Sequence, residues 1–375
     1  MMTTDMLGLY VHIPFCLKKC NYCDFCSFDK LDDISRKAYI SALIKEIKSY
    51  KTTPKKALDT IFFGGGTPSL LSVHEFSEVI SAINESFITS SLSEFTVESN
   101  PKTLTDEKLL TYRKSGVNRI SIGLQSIHEN ELKKLGRIHN FADFENSLSL
   151  VRKAGFDNIN VDLMYGIPEQ TKAGFEKTLD YIISANVPHV SVYGLIVEEN
   201  TPFGKMGKNL FLPSEDDEAD MYALAAEKLS SAGFSHYEIS NYAKDGFESK
   251  HNLIYWKSFE YIGVGLAAYS YFNGERISNT ENLSEYLSQK REQYQRREKQ
   301  SAHDSAYDYA MLRFRLKEGF SLREYETKFG QNFLLGKEKQ IEDFKKLGLI
   351  HIDEDRISLT ERGFYVSNTI LSELL

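Results

Sequence analysis

Cysteine is nearly absent from this 375-residue chain: there are four, and all lie between positions 16 and 26. Thiols gathered in one short stretch cannot staple a chain of this size, so a disulfide framework is excluded and metal ligation becomes the expected use. Proline (8) and glycine (23) are too scarce for a collagenous or linker-rich protein. Long apolar runs are missing too. The most apolar uncharged stretch, 181–197, is interrupted by Asn186, Pro188 and His189 and falls short of the roughly 20 residues a membrane-spanning helix needs. Positive charge is in deficit, with 45 Lys and Arg against 53 Asp and Glu and a net charge of -8, so no global attraction to nucleic acid or an anionic membrane is expected. The opening residues MMTTDMLGLY carry neither the basic nor the apolar segment of an export signal. A cytoplasmic location with reduced thiols is the expectation. Tryptophan occurs once, as Trp256.

What the chain does have is alternation. Strand-like runs at 7–15, 60–63, 94–99, 119–124, 158–164 and 189–195 are separated by stretches at 34–50, 73–85, 105–114, 141–154 and 170–184 with apolar residues at helical spacing. Six such units predict a parallel sheet, because parallel neighbours need a crossover helix. Polar or glycine-rich residues recur just past the strand ends, in the cysteine loop, GGGTP, ESNP, LQS and DLMYG. Active sites of α/β folds are built there, which favours an α/β protein with a partial (β/α)6 barrel. From about residue 213 the pattern changes, and the interleaved charges of 286–299 predict a solvated helix. The tail reads as three helices, two short strands around 353–356 and a last helix, a winged-helix-like unit within a C-terminal α+β region. Three parts are expected: 1–205, 206–300 and 301–375.

The loop YVHIPFCLKKCNYCDFCSF spaces Cys16, Cys20, Cys23 and Cys26 by three, two and two residues. Zinc knuckles draw pairs of ligands from two separated segments. A single loop after a strand, holding every cysteine, favours an iron-sulfur cluster, and three thiolates would leave one iron open to a small chelator. Gly64, Gly65 and Gly66 follow the strand DTIFF, where the lack of a Cβ permits close approach. Glu98, Gln125 and Asp162 each fall near the end of a strand, converging on one rim.

The cysteine spacing, with the aromatic Tyr22 before the third cysteine, resembles the signature of the radical S-adenosylmethionine (SAM) superfamily. That resemblance implies a 4Fe-4S cluster held by Cys16, Cys20 and Cys23, with SAM chelating the open iron and cleaved to a 5'-deoxyadenosyl radical on electron transfer from the reduced cluster, which an electron donor supplies. YVHIPFC, FFGGGTPS, VESNP, RISIGLQS, LGRIH and DLMYGIPEQT, in this order, resemble the oxygen-independent coproporphyrinogen III oxidase (HemN) branch. By position, Tyr10, Gly65, Gly66, Thr67, Glu98, Gln125, Arg137 and Asp162 would contact SAM.

Two departures argue against oxidase activity. The oxidase pattern has a further cysteine as C-x-C where this chain has Phe25, and it has an extension before the signature, whereas the first cysteine here is residue 16. Residues 251–256, HNLIYW, resemble instead the HNxxYW motif of the HemW haem chaperone group within this branch. The resemblance implies a protein that binds haem as cargo and passes it to an acceptor protein, with peripheral contact where that acceptor is in a membrane. Neutral His251 would ligate the iron, Tyr255 and Trp256 would offer flat faces to the macrocycle, and Lys250 and Lys257 would pair with propionates. The alternative reading is an oxygen-independent coproporphyrinogen III dehydrogenase, a radical SAM oxidative decarboxylase.

Overall fold

A computed structural model describes residues 6–375. Six strands form at the predicted places: β1 (Leu7–Ile13), β2 (Thr60–Gly65), β3 (Glu94–Ser99), β4 (Arg119–Gln125), β5 (Asn158–Tyr165) and β6 (His189–Gly194). They pair in chain order and in parallel, with Tyr10 beside Phe62 and Glu98 beside Ser121. Helices α1 (Asp33–Ser49), α2 (Val73–Ser86), α3 (Asp106–Lys114), α4 (Phe141–Lys153) and α5 (Lys172–Ser184) make the crossovers. Each starts where the sequence supplies a cap. Asp32, Ser72, Thr105, Asn140 and Thr171 accept from the first-turn N–H groups, and Ser72 and Asn140 complete capping boxes with Glu75 and Asp143.

The second half enlarges this sheet at both edges. Strands β7 (Ser235–Glu238) and β8 (Asn241–Ala243) follow helix α6 (Glu215–Ser231) and extend the β6 side. Helix α7 (Lys250–Trp256) leads into β9 (Glu260–Val264), which pairs in parallel with β1, placing Gly263 beside Tyr10. The antiparallel strands β10 (Tyr269–Phe272), β11 (Glu275–Ser278) and β12 (Arg296–Lys299) complete a 12-stranded sheet. Its order is β12-β11-β10-β9-β1-β2-β3-β4-β5-β6-β8-β7, and among the described residues the two end strands do not pair to close a barrel. The helix expected across 286–299 is largely corrected: Leu283–Leu287 and Arg291–Tyr294 are short helices, but Arg296–Lys299 is the edge strand. Interleaved charge suits an exposed sheet edge as well as a helix face, because it blocks pairing with another chain.

Side chains along a strand alternate between faces. Leu9, Val11, Ile61, Phe63, Phe95, Val97, Ile120, Ile122, Val161, Leu163, Val190 and Val192 are buried in the main core with the crossover helices, each contributing roughly 1.5 to 3 kcal/mol. The alternate positions, among them Glu98, Arg119, Ser121, Asn160, Asp162, His189 and Ser191, give the inner face a polar character. Barrel interiors are usually filled by branched apolar side chains, so this face is made for ligands and hydrogen bonds.

The tail comprises α8 (Ala302–Arg313), β13 (Phe320–Ser321), α9 (Leu322–Phe329), α10 (Glu338–Lys346), β14 (Ile350–Ile352), β15 (Arg356–Leu359), α11 (Glu361–Tyr365) and α12 (Ser367–Leu374). It has its own core around Tyr309, Phe314, Phe320, Tyr325 and Phe333. It docks through Ile239 N–H to Arg315 C=O (3.0 Å), Lys317 N–H to Tyr237 C=O (3.1 Å) and the His236–Glu361 pair (2.6 Å).

Candidate functional site

The cysteine loop leaves the end of β1 and is pinched at its base, where Cys16 N–H donates to Phe28 C=O (2.9 Å) and Phe28 N–H to Pro14 C=O (2.7 Å). Its tip is anchored by Asn21, whose N–H and side-chain amide donate to Leu135 C=O (2.9 Å) and Lys134 C=O (2.7 Å). All four thiols are free and half-buried. Burial pushes the Cys16 and Cys23 thiols up, so their thiolates need nearby positive charge such as metal provides. Thr67 reaches Cys16 Sγ at 3.8 Å and Arg137 reaches Cys20 Sγ at 3.5 Å. Cys26 is engaged elsewhere: its Sγ faces Glu281 C=O at 3.8 Å, and its own C=O pairs with His12 Nε2 at 2.8 Å. Among the described residues no three His, Cys, Asp or Glu side chains converge on a point that one metal ion could occupy.

The glycine run has a steric reason. A Cβ on Gly66 would stand 2.8 Å from Phe15 O and 3.0 Å from Cys16 Sγ. One on Gly65, where φ is +110°, would stand 2.7 Å from the His12 ring. Only glycine lets the end of β2 pass this close beneath the cysteine loop. Next to it, Thr67 accepts from Asn100 Nδ2 (2.9 Å).

Opposite the loop, Gln125 ends β4 with φ of +72° at a register shift, a strained backbone of the kind that gathers at functional sites. Arg137 donates to Gly123 C=O (2.9 Å), and its Nε is buried with no partner among the described residues. Glu98 is raised to about 8, first by burial and then by the Asp162 charge, and burial likewise raises Asp162. Two buried carboxylates and an unpartnered guanidinium Nε are the complement of a ligand carrying amine, hydroxyls and carboxylate. These residues therefore fit SAM, and the trio of thiols fits a cluster. The structure brings Tyr10, Gly65, Gly66, Thr67, Glu98, Gln125, Arg137 and Asp162 to the upper part of one inner face beside Cys16, Cys20 and Cys23.

The haem-motif residues lie elsewhere. Helix α7 packs at the opposite end of the strands, against Thr60 and Glu94, which open β2 and β3. The four steps along the strand from Glu94 to Glu98 span roughly 13 Å. Glu94 caps the helix, accepting from Lys250 N–H (2.8 Å) and His251 N–H (3.2 Å). His251 is fully buried, stacked on Phe62 at 5.1 Å, with Nδ1 on the Thr60 hydroxyl (2.7 Å) and Nε2 on the Tyr255 hydroxyl (2.7 Å). Burial lowers it to about 3, so it is neutral. Trp256 is half-buried, its Nε1 lacks a partner among the described residues, and Arg315 lies 5.4 Å from its ring. Lys257 pairs with Glu318 (3.2 Å), while Lys250 Nζ reaches Ser93 C=O (3.5 Å).

A polar relay that sequence reasoning missed joins the two ends. Asn160 donates to Asp162 (2.8 Å) and pairs with His189 Nδ1 (2.6 Å), His189 Nε2 meets the Tyr237 hydroxyl (2.9 Å), and that hydroxyl accepts from Ser249 N–H (3.1 Å) at the α7 N-cap. Arg119 lies buried alongside, its Nε unpartnered among the described residues. The signal was the polar alternation in EFTVES, RISIGLQ, NINVD and HVSV.

These buried groups set a pH profile. Burial lowers His12 and His189, and takes His139 to about 4 and His251 to about 3. Below about pH 6.5 the unfolded chain binds protons that these folded imidazoles refuse, so stability falls with acidification. Glu98 and Glu238, both raised to about 8 by burial, act oppositely, together with Glu46, Asp162, Glu218 and Asp308, which burial also raises: their contribution is lost as pH rises towards the raised values. Above about pH 7 the imidazoles are neutral in both states, so only the raised carboxyls still act. The cluster-free chain should melt lower by calorimetry at pH 8.5 than at pH 7. A flat profile across that range would contradict the raised Glu98 and Glu238.

Sheet, thiol loop and rim together define a radical SAM protein. The family model described as Radical SAM superfamily matches residues 10–182, and that described as HemN C-terminal domain matches 300–366. Heme chaperone HemW of Lactococcus lactis subsp. lactis is 37% identical over 369 residues, 98% of this chain and 96% of that protein. The namesake proteins of Bacillus subtilis and Escherichia coli are 36% identical (99% of each chain) and 32% identical (98% of each). The chain belongs to the HemW family. Its fold is also that of the Escherichia coli coproporphyrinogen III oxidase HemN, a solved structure with TM-score 0.86 and 22% identity, covering 98% of this chain and 90% of that one. No helix among the described residues is long and apolar enough to cross a membrane.

Proposed function

We propose that this protein is a cytoplasmic haem chaperone that binds haem at the HNLIYW helix and passes it to an acceptor protein, with a 4Fe-4S cluster and SAM at the upper rim and an electron donor to that cluster. Residues 1–205 would carry the cluster and SAM, 206–300 the haem motif, and 301–375 the winged-helix-like module. The observation that carries the reading is His251, held neutral between two hydroxyls on a helix whose sequence is the family motif. With Nδ1–H donating to Thr60, the Nε2 lone pair rests on the Tyr255 hydroxyl, which can turn away and release it to iron. Thr60 then plays the part of the partner that orients a ligating imidazole.

At the rim, Cys16, Cys20 and Cys23 would hold the cluster, whose chemistry is to donate an electron to SAM. Arg137 would receive the SAM carboxylate on its unpartnered Nε, and Glu98 and Asp162 would receive its amine and hydroxyls, each giving up a proton or a repulsion in exchange. Glu98→Ala and Asp162→Ala should each weaken SAM binding by about 1 to 3 kcal/mol through a lost buried hydrogen bond. Calorimetry on cluster-loaded protein checks this, and unchanged affinity in both variants would remove SAM from this rim.

The functional test is anaerobic reconstitution, haem titration and a parallel coproporphyrinogen III assay. Uptake of about one haem per chain with no vinyl product is expected. SAM-dependent decarboxylation of coproporphyrinogen III would replace the chaperone reading with an oxidase one.

A further inference from the structure

At the far end of α7 a small cleft of about 80 Å³ separates the sheet edge from the tail. Tyr255, Tyr261 and Tyr271 wall one side, Tyr309 and Phe329 the other. Three residues that line it, Ser258, Gln300 and Tyr309, each carry a buried polar atom (Oγ, Oε1 and Oη) with no hydrogen-bond partner among the described residues. Glu324 stands near the Tyr309 hydroxyl without meeting hydrogen-bond geometry. Buried polar atoms are almost always satisfied, and three orphans lining one cavity mark a place for a ligand's polar end.

The chemistry of that end follows from the lining. Two hydroxyls donate, and the Gln300 amide donates by turning over. Around them stand three cations, Arg276, Arg313 (4.9 Å from the Tyr309 ring) and Lys328 (5.0 Å from it), against two carboxylates, Asp308, paired with Arg276, and Glu324. Donors under a net positive charge select an acceptor anion, and a carboxylate matches them best. Size limits what carries it. The volume is about half of the roughly 150 Å³ that admits benzene, far below the roughly 300 Å³ or more of a pocket for a whole cofactor. A carboxylate on a short alkyl arm fits. The cleft also shares a wall with the haem motif, because the Tyr255 hydroxyl that holds His251 Nε2 belongs to a ring lining it.

We infer that this cleft takes one propionate arm of the haem recruited by α7, the macrocycle staying outside it; the inference rests on the haem reading. Haem and haem dimethyl ester, titrated into the full chain and into a Ser258→Ala/Tyr309→Phe variant, test it. The wild-type chain should prefer haem over the ester by about tenfold or more. In the variant that ratio should fall towards one while ester affinity holds. The substituted hydroxyls have no hydrogen-bond partner among the described residues, so its melting temperature should stay the same or rise. An unchanged ratio, as water filling the cleft would give, overturns the inference while leaving haem binding intact. No binding of either tetrapyrrole fails the haem reading itself. Sodium propionate alone is the third probe: tight binding that the variant abolishes, with the haem-to-ester ratio unaltered, would assign the cleft to a free small carboxylate and overturn its role for haem.

Discussion

Cys16→Ser, Cys20→Ser and Cys23→Ser should each lose essentially all reconstituted iron and sulfide, whereas Cys26→Ser should keep the wild-type content. The spacing alone separates three cysteines from the fourth only by family likeness. The structure adds a physical difference: Thr67 and Arg137 reach Cys16 and Cys20, while the Cys26 thiol faces Glu281 C=O and its carbonyl pairs with His12. With one thiolate missing, two ligands must hold a cube whose binding free energy is shared among three, and the raised thiols of Cys16 and Cys23 ionise only against metal charge. Iron and sulfide analysis with absorption spectra on all four variants decides it. Loss in Cys26→Ser with retention in Cys23→Ser would reverse the assignment.

Much of this was open to inspection in the sequence. The six parallel strands were legible because their outward residues (Leu9, Val11; Ile61, Phe63; Ile120, Ile122) are apolar and their caps, such as Ser72 with Glu75, are local features. The rim residues were legible because they sit where strands end. The final strand set was not. β9 pairs with β1 across about 250 residues of chain, and nothing in EYIGV distinguishes a partner of β1 from a partner of its own hairpin. Arg296–Lys299 carried the charge of a helix face and became an edge strand. The place of His251 was also hidden, since HNLIYW names residue types without saying that the imidazole is buried between Thr60 and Tyr255.

That burial gives the second large effect. His251→Ala should destabilise the cluster-free chain by about 3 to 5 kcal/mol, because it empties a packed site on Phe62 and strands the Thr60 and Tyr255 hydroxyls. It should also abolish the axially ligated Soret spectrum while leaving cluster assembly intact. Tyr255→Phe separates the two roles. It frees Nε2 without removing it, so stability should fall by only about 1 to 2 kcal/mol while ligation persists. Denaturant unfolding and haem titration of both variants check this. A normal haem spectrum in His251→Ala would take that residue out of the haem site, and loss of ligation in Tyr255→Phe would mean that the hydroxyl, not the imidazole, governs binding.

The pairing of β9 with β1 has a consequence for the birth of the molecule. The strand that launches the cysteine loop is made well before its neighbour on one side, Glu260–Val264, which follows about 250 residues later. At roughly 5 to 20 residues per second that delay is about 12 to 50 s. Throughout it, β1 presents a bare hydrogen-bonding edge, and α7 is not yet there to close the lower end of the inner face. The nascent chain thus holds its four thiols beside an unfinished sheet, so synthesis itself sets an interval in which that open edge is exposed to aggregation.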